Sequence, residues 1–186
     1  MWWPDISAWR PFRLALALGL AGLSAGCFQP MYGERAAVGG GSIAPAMRGV
    51  DVAEVKTGPT SRLPRVSVEV RNNLIFALTG GGAAPSPTHR LQVYLSSSLS
   101  LVVVDINSGR PDIQNYGIDA SYQLTDLATG KTVVNGVTFA RVSFNIPGQQ
   151  QRFAGERGLR DAENRAASVI ADNIRNRIAS YFTAGT

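Results

Sequence analysis

Histidine and cysteine are almost absent from the 186-residue chain, which contains one of each, His89 and Cys27. A single histidine excludes a metal cluster built on several histidines, and a serine triad would have to use His89. A single thiol cannot form a disulfide within the chain. Gly80-Gly81-Gly82 lacks the Lys-Ser or Lys-Thr that follows a phosphate-binding loop, which favours a plain loop. We therefore expect no catalytic residues, no metal and no cofactor.

Long hydrophobic runs are also lacking. The longest, from Leu14 to Leu23, has about half of the twenty residues that a helix needs to cross a bilayer. It follows Arg10 and Arg13 and ends in the small residues Ser24-Ala25-Gly26. This order is typical of an export signal. We predict that residues 1–26 are a lipoprotein signal peptide and that the chain is exported.

The cysteine stands directly after this segment. Leu23-Ser24-Ala25-Gly26-Cys27 resembles the bacterial lipobox, although Ser24 occupies the place that usually holds leucine. A buried free thiol is the alternative interpretation. We expect Cys27 to carry lipid, because several acyl chains anchor a protein firmly where one chain does not. Phe28 follows it rather than aspartate, which by resemblance to other lipoproteins favours the outer membrane, on its periplasmic face.

Lysine is scarce, since Lys56 and Lys131 are the only two, whereas lysine and arginine together number 18. Without residues 1–26 the chain has 160 residues (186 − 26) and a net charge of 16 − 12 = +4. An arginine-rich surface suits an anionic partner. A genome rich in guanine and cytosine would raise the arginine content as well, and both interpretations stay open. Export disfavours nucleic acid as the partner.

Hydrophobic periodicity predicts the elements of the mature chain. Residues 27–49 contain Gly39-Gly40-Gly41-Ser42 and predict a lipidated N-terminus and a flexible tether. Residues 61–79 fit a strand or a helix, and the length of the segment favours the helix. The predicted elements are a strand at 50–56, this helix, strands at 90–105, 114–126 and 132–145, and a helix at 159–182. The sequence thus predicts a single α+β domain over residues 50–186, with a four-stranded, mainly antiparallel sheet, two helices packed on it and the order β-α-β-β-β-α.

The last predicted strand is apolar on both faces. Val134, Ala140, Val142 and Phe144 alternate with a second set, Val133, Val137 and Phe139. One set is expected to pack on the helices. Loops, the N-terminal segment or a partner surface would cover the other set.

The residues resemble a family. Cys27-Phe28-Gln29-Pro30-Met31-Tyr32-Gly33 is similar to the Cys-Gly-Phe-x-Pro-Leu-Tyr-Gly opening of the alphaproteobacterial LptE lipoproteins, without the glycine after the cysteine. The similarity continues through Arg71-Asn72-Asn73-Leu74, Tyr122-Gln123-Leu124-Thr125-Asp126 and Ala179-Ser180-Tyr181-Phe182. It spans nearly the whole mature chain.

The resemblance implies a lipoprotein that plugs a large outer-membrane β-barrel, LptD, and helps to deliver lipopolysaccharide to the cell surface without catalysis. A plug buries part of its surface against the barrel, so Val133, Val137 and Phe139 become candidates for barrel contact. Lipopolysaccharide phosphates suit basic side chains. Charge near strand ends and turns suggests Arg90, Arg110, Lys131 and Arg141 for that ligand.

Two other functions fit the same sequence. A different periplasmic lipoprotein, acting as a protein-binding or inhibitor module, would have the same signal and fold class. A secreted hydrolase is the enzymatic alternative and depends on His89 alone.

We predict that Cys27→Ala blocks lipidation, because the thiol is the acceptor of the lipid. The expected result is uncleaved precursor with no incorporation of labelled palmitate. Normal labelling of the variant would show that the lipobox interpretation is wrong.

Overall fold

The computed structural model describes residues 43–58, 63–82, 84, 86–104, 111–146 and 152–184. The predicted signal peptide, Cys27, residues 27–42 of the predicted tether, and Arg110 lie outside these ranges. The described residues from Ile43 onward belong to one compact unit.

The described part of this unit contains three helices and five strands. In chain order they are α1 (Ala44–Arg48), β1 (Val50–Val52), β2 (Lys56–Thr57), α2 (Leu63–Thr79), β3 (His89–Val104), β4 (Pro111–Asp126), β5 (Thr132–Asn145) and α3 (Arg152–Ala184). The α+β class and the mainly antiparallel sheet are therefore confirmed, as is the helix at the ambiguous segment 61–79.

The sheet is built on three long strands. β3 pairs with β4, and β4 pairs with β5, both antiparallel and with unbroken register through their middle sections. β1 and β2 both pair with β3 in the parallel sense, on the side away from β4. The helix α2 lies between β2 and β3 in the chain, as a parallel connection requires.

The prediction of four strands is wrong, because the expected strand at 50–56 is two short strands, β1 and β2. Val52 pairs with Leu91, whereas Lys56 pairs with Tyr94. The four-residue step from Val52 to Lys56 therefore lies against a step of only three residues along β3, from Leu91 to Tyr94. The extra residue between Val52 and Lys56 interrupts the ladder, as in a β-bulge.

The prediction of two helices is also wrong, because a third helix, α1, lies in the range assigned to the tether. It begins with Pro45 in its first turn, which suits a helix start, and it contacts α2 and α3. The side chain of Met47 is buried. Residues 44–48 therefore belong to the folded unit, which a five-residue segment without helical periodicity could not reveal.

The core lies between one face of the sheet and the helices α2 and α3. In α2 the buried residues recur every three or four positions, as Leu63, Val66, Val70, Leu74 and Leu78. The sheet contributes alternate residues, among them Leu91, Val93, Leu95, Ile118, Leu124 and Val142. Beyond Leu95, on the same side of β3, Leu99 and Leu101 are about half exposed.

The helix α3 begins seven residues earlier than the predicted start at Leu159. Gly155 and Gly158 weaken the helical pattern of this first part, since glycine disfavours helix interiors. A Cβ at Gly158 would lie 3.5 Å from Phe144 Cδ2 and 3.6 Å from the Asn145 carbonyl oxygen. The first turns of α3 have low helix propensity, and they contact β5.

One buried carboxylate connects the two long helices. Glu163 of α3 is 5 % exposed and accepts a hydrogen bond from the Arg65 guanidinium of α2. Arg65 also donates to Asn164 Oδ1 at 3.0 Å. A buried charge is costly without a partner, so this contact fixes how α2 lies against α3.

We predict that Arg65→Met lowers the free energy of unfolding by about 1–3 kcal/mol, because it leaves the Glu163 carboxylate without its cation. This range is below that of fully buried pairs, since the Arg65 side chain is 46 % exposed. Urea denaturation of the purified protein measures it.

The matched control is Arg165→Met, which removes the exposed pair of Arg165 with Asp161 on α3. It should cost about 0.5 kcal/mol or less. The double variant Arg65→Met/Glu163→Leu should recover much of the loss. Equal effects of the two single substitutions would contradict this assignment.

Candidate functional site

The face of the sheet that the helices leave uncovered is the candidate site, and we call it the open face. It consists of the alternate residues of β3, β4 and β5 that point away from the core. Cross-strand register arranges them in rows, Gln92–Gln123–Asn135, Tyr94–Ser121–Val137, Ser96–Asp119–Phe139 and Ser98–Gly117–Arg141. Successive rows lie about 7 Å apart, twice the rise per residue of a strand.

The centre of the open face is apolar and exposed. Val137 is 82 % exposed and Phe139 is 65 % exposed, whereas Val133 is half-buried. The two sets of apolar residues predicted for this strand thus lie on opposite faces, with Val134, Ala140, Val142 and Phe144 in the core. Among the described residues, nothing covers Val137 and Phe139.

Beside this apolar centre, Arg141 is held flat against the sheet. Its Nη2 donates to Asp119 Oδ1 at 2.7 Å, and its Nη1 donates to the Ile118 carbonyl oxygen at 3.0 Å. Its guanidinium carbon lies 5.4 Å from the centre of the Phe139 ring, a cation–π distance. A Cβ at Gly117 would lie 2.9 Å from Arg141 Cδ, so this glycine gives the arginine its room.

A second basic group lies at the end of the sheet where β4 turns into β5. Lys131 is exposed in this hairpin, whose Gly130 has a φ of 69°. Arg90, close by in β3, donates through Nε to Asp51 Oδ2 at 3.1 Å. The turn of this hairpin is Ala128-Thr129-Gly130-Lys131, and its glycine supplies the positive φ that the connection needs.

The three basic candidates that the structure describes are not brought together. Arg90 and Lys131 share the hairpin end, whereas Arg141 lies ten residues along β5, a span of about 34 Å. Arg90 and Arg141 already have carboxylate partners in Asp51 and Asp119. Arg110 is outside the described residues.

His89 packs in an aromatic cluster. Its ring centre lies 5.1 Å from that of Phe182 and 6.4 Å from that of Tyr181, both edge-on. The hydroxyl of Thr88 lies 2.9 Å from His89 Nδ1. These contacts give the histidine a packing role at the end of α3.

The described residues contain neither a candidate metal site nor a candidate membrane span. Within those ranges, no group of three or more histidine, cysteine, aspartate or glutamate side chains is placed to hold a metal ion. None of the helices that the structure describes combines the length and the apolar character of a membrane span.

Tyr94 is the residue of the open face that sequence reasoning missed. It is 47 % exposed and lies beside Val137 in the same row, across Ser121. Strand alternation places it on the same side of β3 as the polar residues Gln92 and Ser96. An aromatic residue among polar neighbours on that side was the available signal.

On the core side, Tyr122 packs over β5. A Cβ at Gly136 would lie 2.7 Å from Tyr122 Oη, so the tyrosine ring occupies the space that a side chain would need. Burial raises the pKa of Tyr122, and the charge of Arg177 lowers it in part. Gly136 is therefore fixed by packing from the core.

We predict that the hairpin loses a stabilising contact in acid. The Ala128 backbone N–H donates to Asp126 Oδ1 at 2.7 Å, and this bond lowers the pKa of Asp126 below its ordinary value of 3.8. A depressed pKa means that the carboxylate stabilises the fold above the ordinary value, and that this contribution is lost as pH falls through the folded pKa.

Asp126→Ala should therefore lower the unfolding temperature at pH 7, and the difference from the parent protein should shrink below about pH 4. Thermal unfolding followed by circular dichroism between pH 2.5 and 7 measures both. A difference that stays constant over this range would contradict the role of the charge.

The chain was compared with known proteins. The sequence model of the LptE family, described as lipopolysaccharide-assembly, matches residues 47–178. No curated protein sequence matches the chain. A Caulobacter crescentus protein described as a lipoprotein has a similar structure, with a TM-score of 0.59, 18 % identity, and coverage of 77 % of this chain and 97 % of that one.

The rare lipoprotein B of Shewanella oneidensis is similar as well, with a TM-score of 0.50, 12 % identity, and coverage of 70 % of this chain and 93 % of that one. At these identities the two structures establish the fold alone. The family match covers well over half of the chain and all of its long strands. The chain therefore belongs to the LptE family of lipopolysaccharide-assembly lipoproteins.

Proposed function

We propose that this chain is anchored by lipid on Cys27 to the periplasmic face of the outer membrane, where it plugs an LptD-type β-barrel during lipopolysaccharide assembly. The observation that carries the proposal is the exposed apolar centre of the open face in a member of this family. The family's role is assembly without catalysis, and we extend that to this chain. Its function is to hold a partner and a ligand in place.

The barrel contact is assigned to Val133, Val137 and Phe139. Contiguous exposed apolar side chains mark interaction surfaces, whereas single ones are common on soluble proteins, and Val137 and Phe139 are exposed in neighbouring rows of the open face. Burial of a valine or phenylalanine side chain contributes about 1.5–3 kcal/mol. A flat, rigid sheet also loses little conformational entropy when it docks, which favours a stable complex.

The lipopolysaccharide contact is assigned to basic side chains, with Arg90, Arg110, Lys131 and Arg141 as candidates. Arg90 and Arg141 would have to share their guanidinium groups with Asp51 and Asp119. Lys131 has no ion pair among the described residues and is exposed at a turn. Lys131 is therefore the strongest of the described candidates, and we place Arg110 beside it in the test.

We predict that Val137→Asp reduces recovery of the barrel complex at least tenfold, because it introduces a charge at the centre of the apolar contact. Affinity purification of the tagged, detergent-extracted protein and quantification of the barrel measure it. The matched control is Val68→Asp, which changes an exposed valine of α2 on the opposite side of the unit. Equal recovery with both variants would contradict the barrel surface.

The charge reversal Arg110→Glu/Lys131→Glu should weaken lipopolysaccharide binding while the barrel still co-purifies. Contacts to phosphate are charge-assisted and weaken with salt, whereas an apolar interface does not. A soluble periplasmic protein recovered in place of a barrel would favour the protein-binding or inhibitor function. Binding that is unchanged by the reversal would show that the ligand lies elsewhere.

A further inference from the structure

A shallow trough crosses the open face beside its apolar centre. It has a volume of about 470 Å³, and its lining includes Lys56, Gln92, Tyr94, Gln123, Asn135 and Val137. A second cavity of about 340 Å³ shares Tyr94 and Val137 with it and continues to Asp119 and Phe139. The two together form an elongated depression across β3, β4 and β5.

One wall of the trough is a row of three side-chain amides. Gln92, Gln123 and Asn135 are cross-strand neighbours, and Gln123 Nε2 donates to Gln92 Oε1 at 2.9 Å. Each amide has two N–H donors and a carbonyl acceptor. The bond between the two glutamines uses one donor and fixes their orientation, and the remaining amide groups are available to a ligand.

The next row supplies an aromatic surface and a cation. Tyr94 is half exposed in the middle of the depression, between the two cavities. Lys56 is its register partner in the parallel strand β2 and is exposed. No ion pair within the described residues involves Lys56, so its ammonium group can bind an anion.

The strands limit what can bind here. Where they line the trough, the backbone groups of β4 face β3 and β5, and Tyr94 of β3 lies between β2 and β4, so a peptide lying in the trough could not pair with these two strands. A ligand must instead be recognised by side chains. Fixed amides, one aromatic ring and one cation fit a molecule with many hydroxyls, an apolar ring face and a negative charge.

We propose that the trough is a binding site for an acidic saccharide. A sugar ring packs its apolar C–H face on Tyr94, its hydroxyls bond with the row of amides, and its carboxylate or phosphate pairs with Lys56. The lipopolysaccharide core and the glycan strands of peptidoglycan share this chemistry.

This inference deepens the proposed function and rests on it for the lipopolysaccharide source. Val137 borders both the trough and the assigned barrel contact. A barrel wall packed on Val137 and Phe139 would close the open side of the trough and leave an enclosed path for the saccharide. The hairpin candidate Lys131 lies outside the two cavities, so the contacts can be separated.

The experiment is isothermal titration calorimetry on the full-length, detergent-solubilised protein with three probes. They are the oligosaccharide released from lipopolysaccharide by removal of its acyl chains, a soluble peptidoglycan glycan fragment, and a neutral dextran oligosaccharide of similar length. Both acidic probes should bind more tightly than dextran. The acidic probe with the higher affinity identifies the source of the saccharide, lipopolysaccharide or peptidoglycan.

Two substitutions test the site. Tyr94→Ala should weaken binding of the acidic probe roughly tenfold, and Tyr94→Phe should restore it, since the ring is what the sugar contacts. Lys56→Gln should weaken binding of the acidic probe by about fivefold and leave the affinity for dextran unchanged. Arg160→Gln, which removes an exposed cation from α3, is the matched control and should leave all affinities unchanged.

Absence of saccharide binding, equal affinity for dextran and the acidic probes, or affinities unaffected by Tyr94→Ala and Lys56→Gln would overturn the inference. Recovery of the barrel with Tyr94→Ala is measured in parallel. If this variant loses saccharide binding but still recovers the barrel, the trough and the barrel contact are separate binding surfaces. Failure of the barrel complex in the parent protein, with saccharide still bound, would overturn the proposed function alone.

Discussion

The register of β3, β4 and β5 is the constraint on which the rest of the structure depends. Side chains alternate between the two faces of a strand, so a slip by one residue would exchange the core and open faces. Register shifts are confined to the ends of the ladders, between Leu101 and Val104 and at Leu124/Thr125. The unbroken rows between them produce both the apolar core and the trough.

The helices α2 and α3 cover one face of the sheet, and the length of α2 limits how much of that face is covered. α2 has 17 residues and is about 25 Å long, whereas β3 has 16 residues and is about 54 Å long. α2 therefore covers less than the full length of β3, and Leu99 and Leu101 stay exposed. Glu163 is the one buried charged side chain of the core in the described ranges, and its contact with Arg65 fixes the helix pair above the sheet.

Sequence periodicity predicted the long elements well because each has a strong pattern over many residues. It predicted α2 against the strand alternative, and it placed Val137 and Phe139 on the face opposite Val142. Short elements and their pairing were not predictable. α1 has five residues, the break between β1 and β2 depends on one extra residue against β3, and the first turns of α3 are glycine-rich.

The candidate site was predicted in its apolar part and missed in its polar part. The alternation of a single strand was enough to group Val133, Val137 and Phe139 on one face. The pairing of Arg141 with Asp119 and of Arg90 with Asp51 depends on which strands are neighbours, and so does the row of Gln92, Gln123 and Asn135. Strand order is a long-range property that local patterns do not contain.

The open edge of β5 has a consequence for the amount of this protein that is made. Of the strands that the structure describes, only β4 pairs with it, so one edge of its 14 residues is open. Edge strands are usually protected by lysine, proline or bulges, whereas Thr132–Asn145 has neither lysine nor proline, a single charge at Arg141, and a register irregularity only at its start, opposite Leu124 and Thr125. Under the proposed function a barrel would cover this region, and copies of the chain made in excess of that barrel would expose a template for aggregation. The proposed function would therefore require balanced synthesis of the chain and its barrel, because of the edge of one strand.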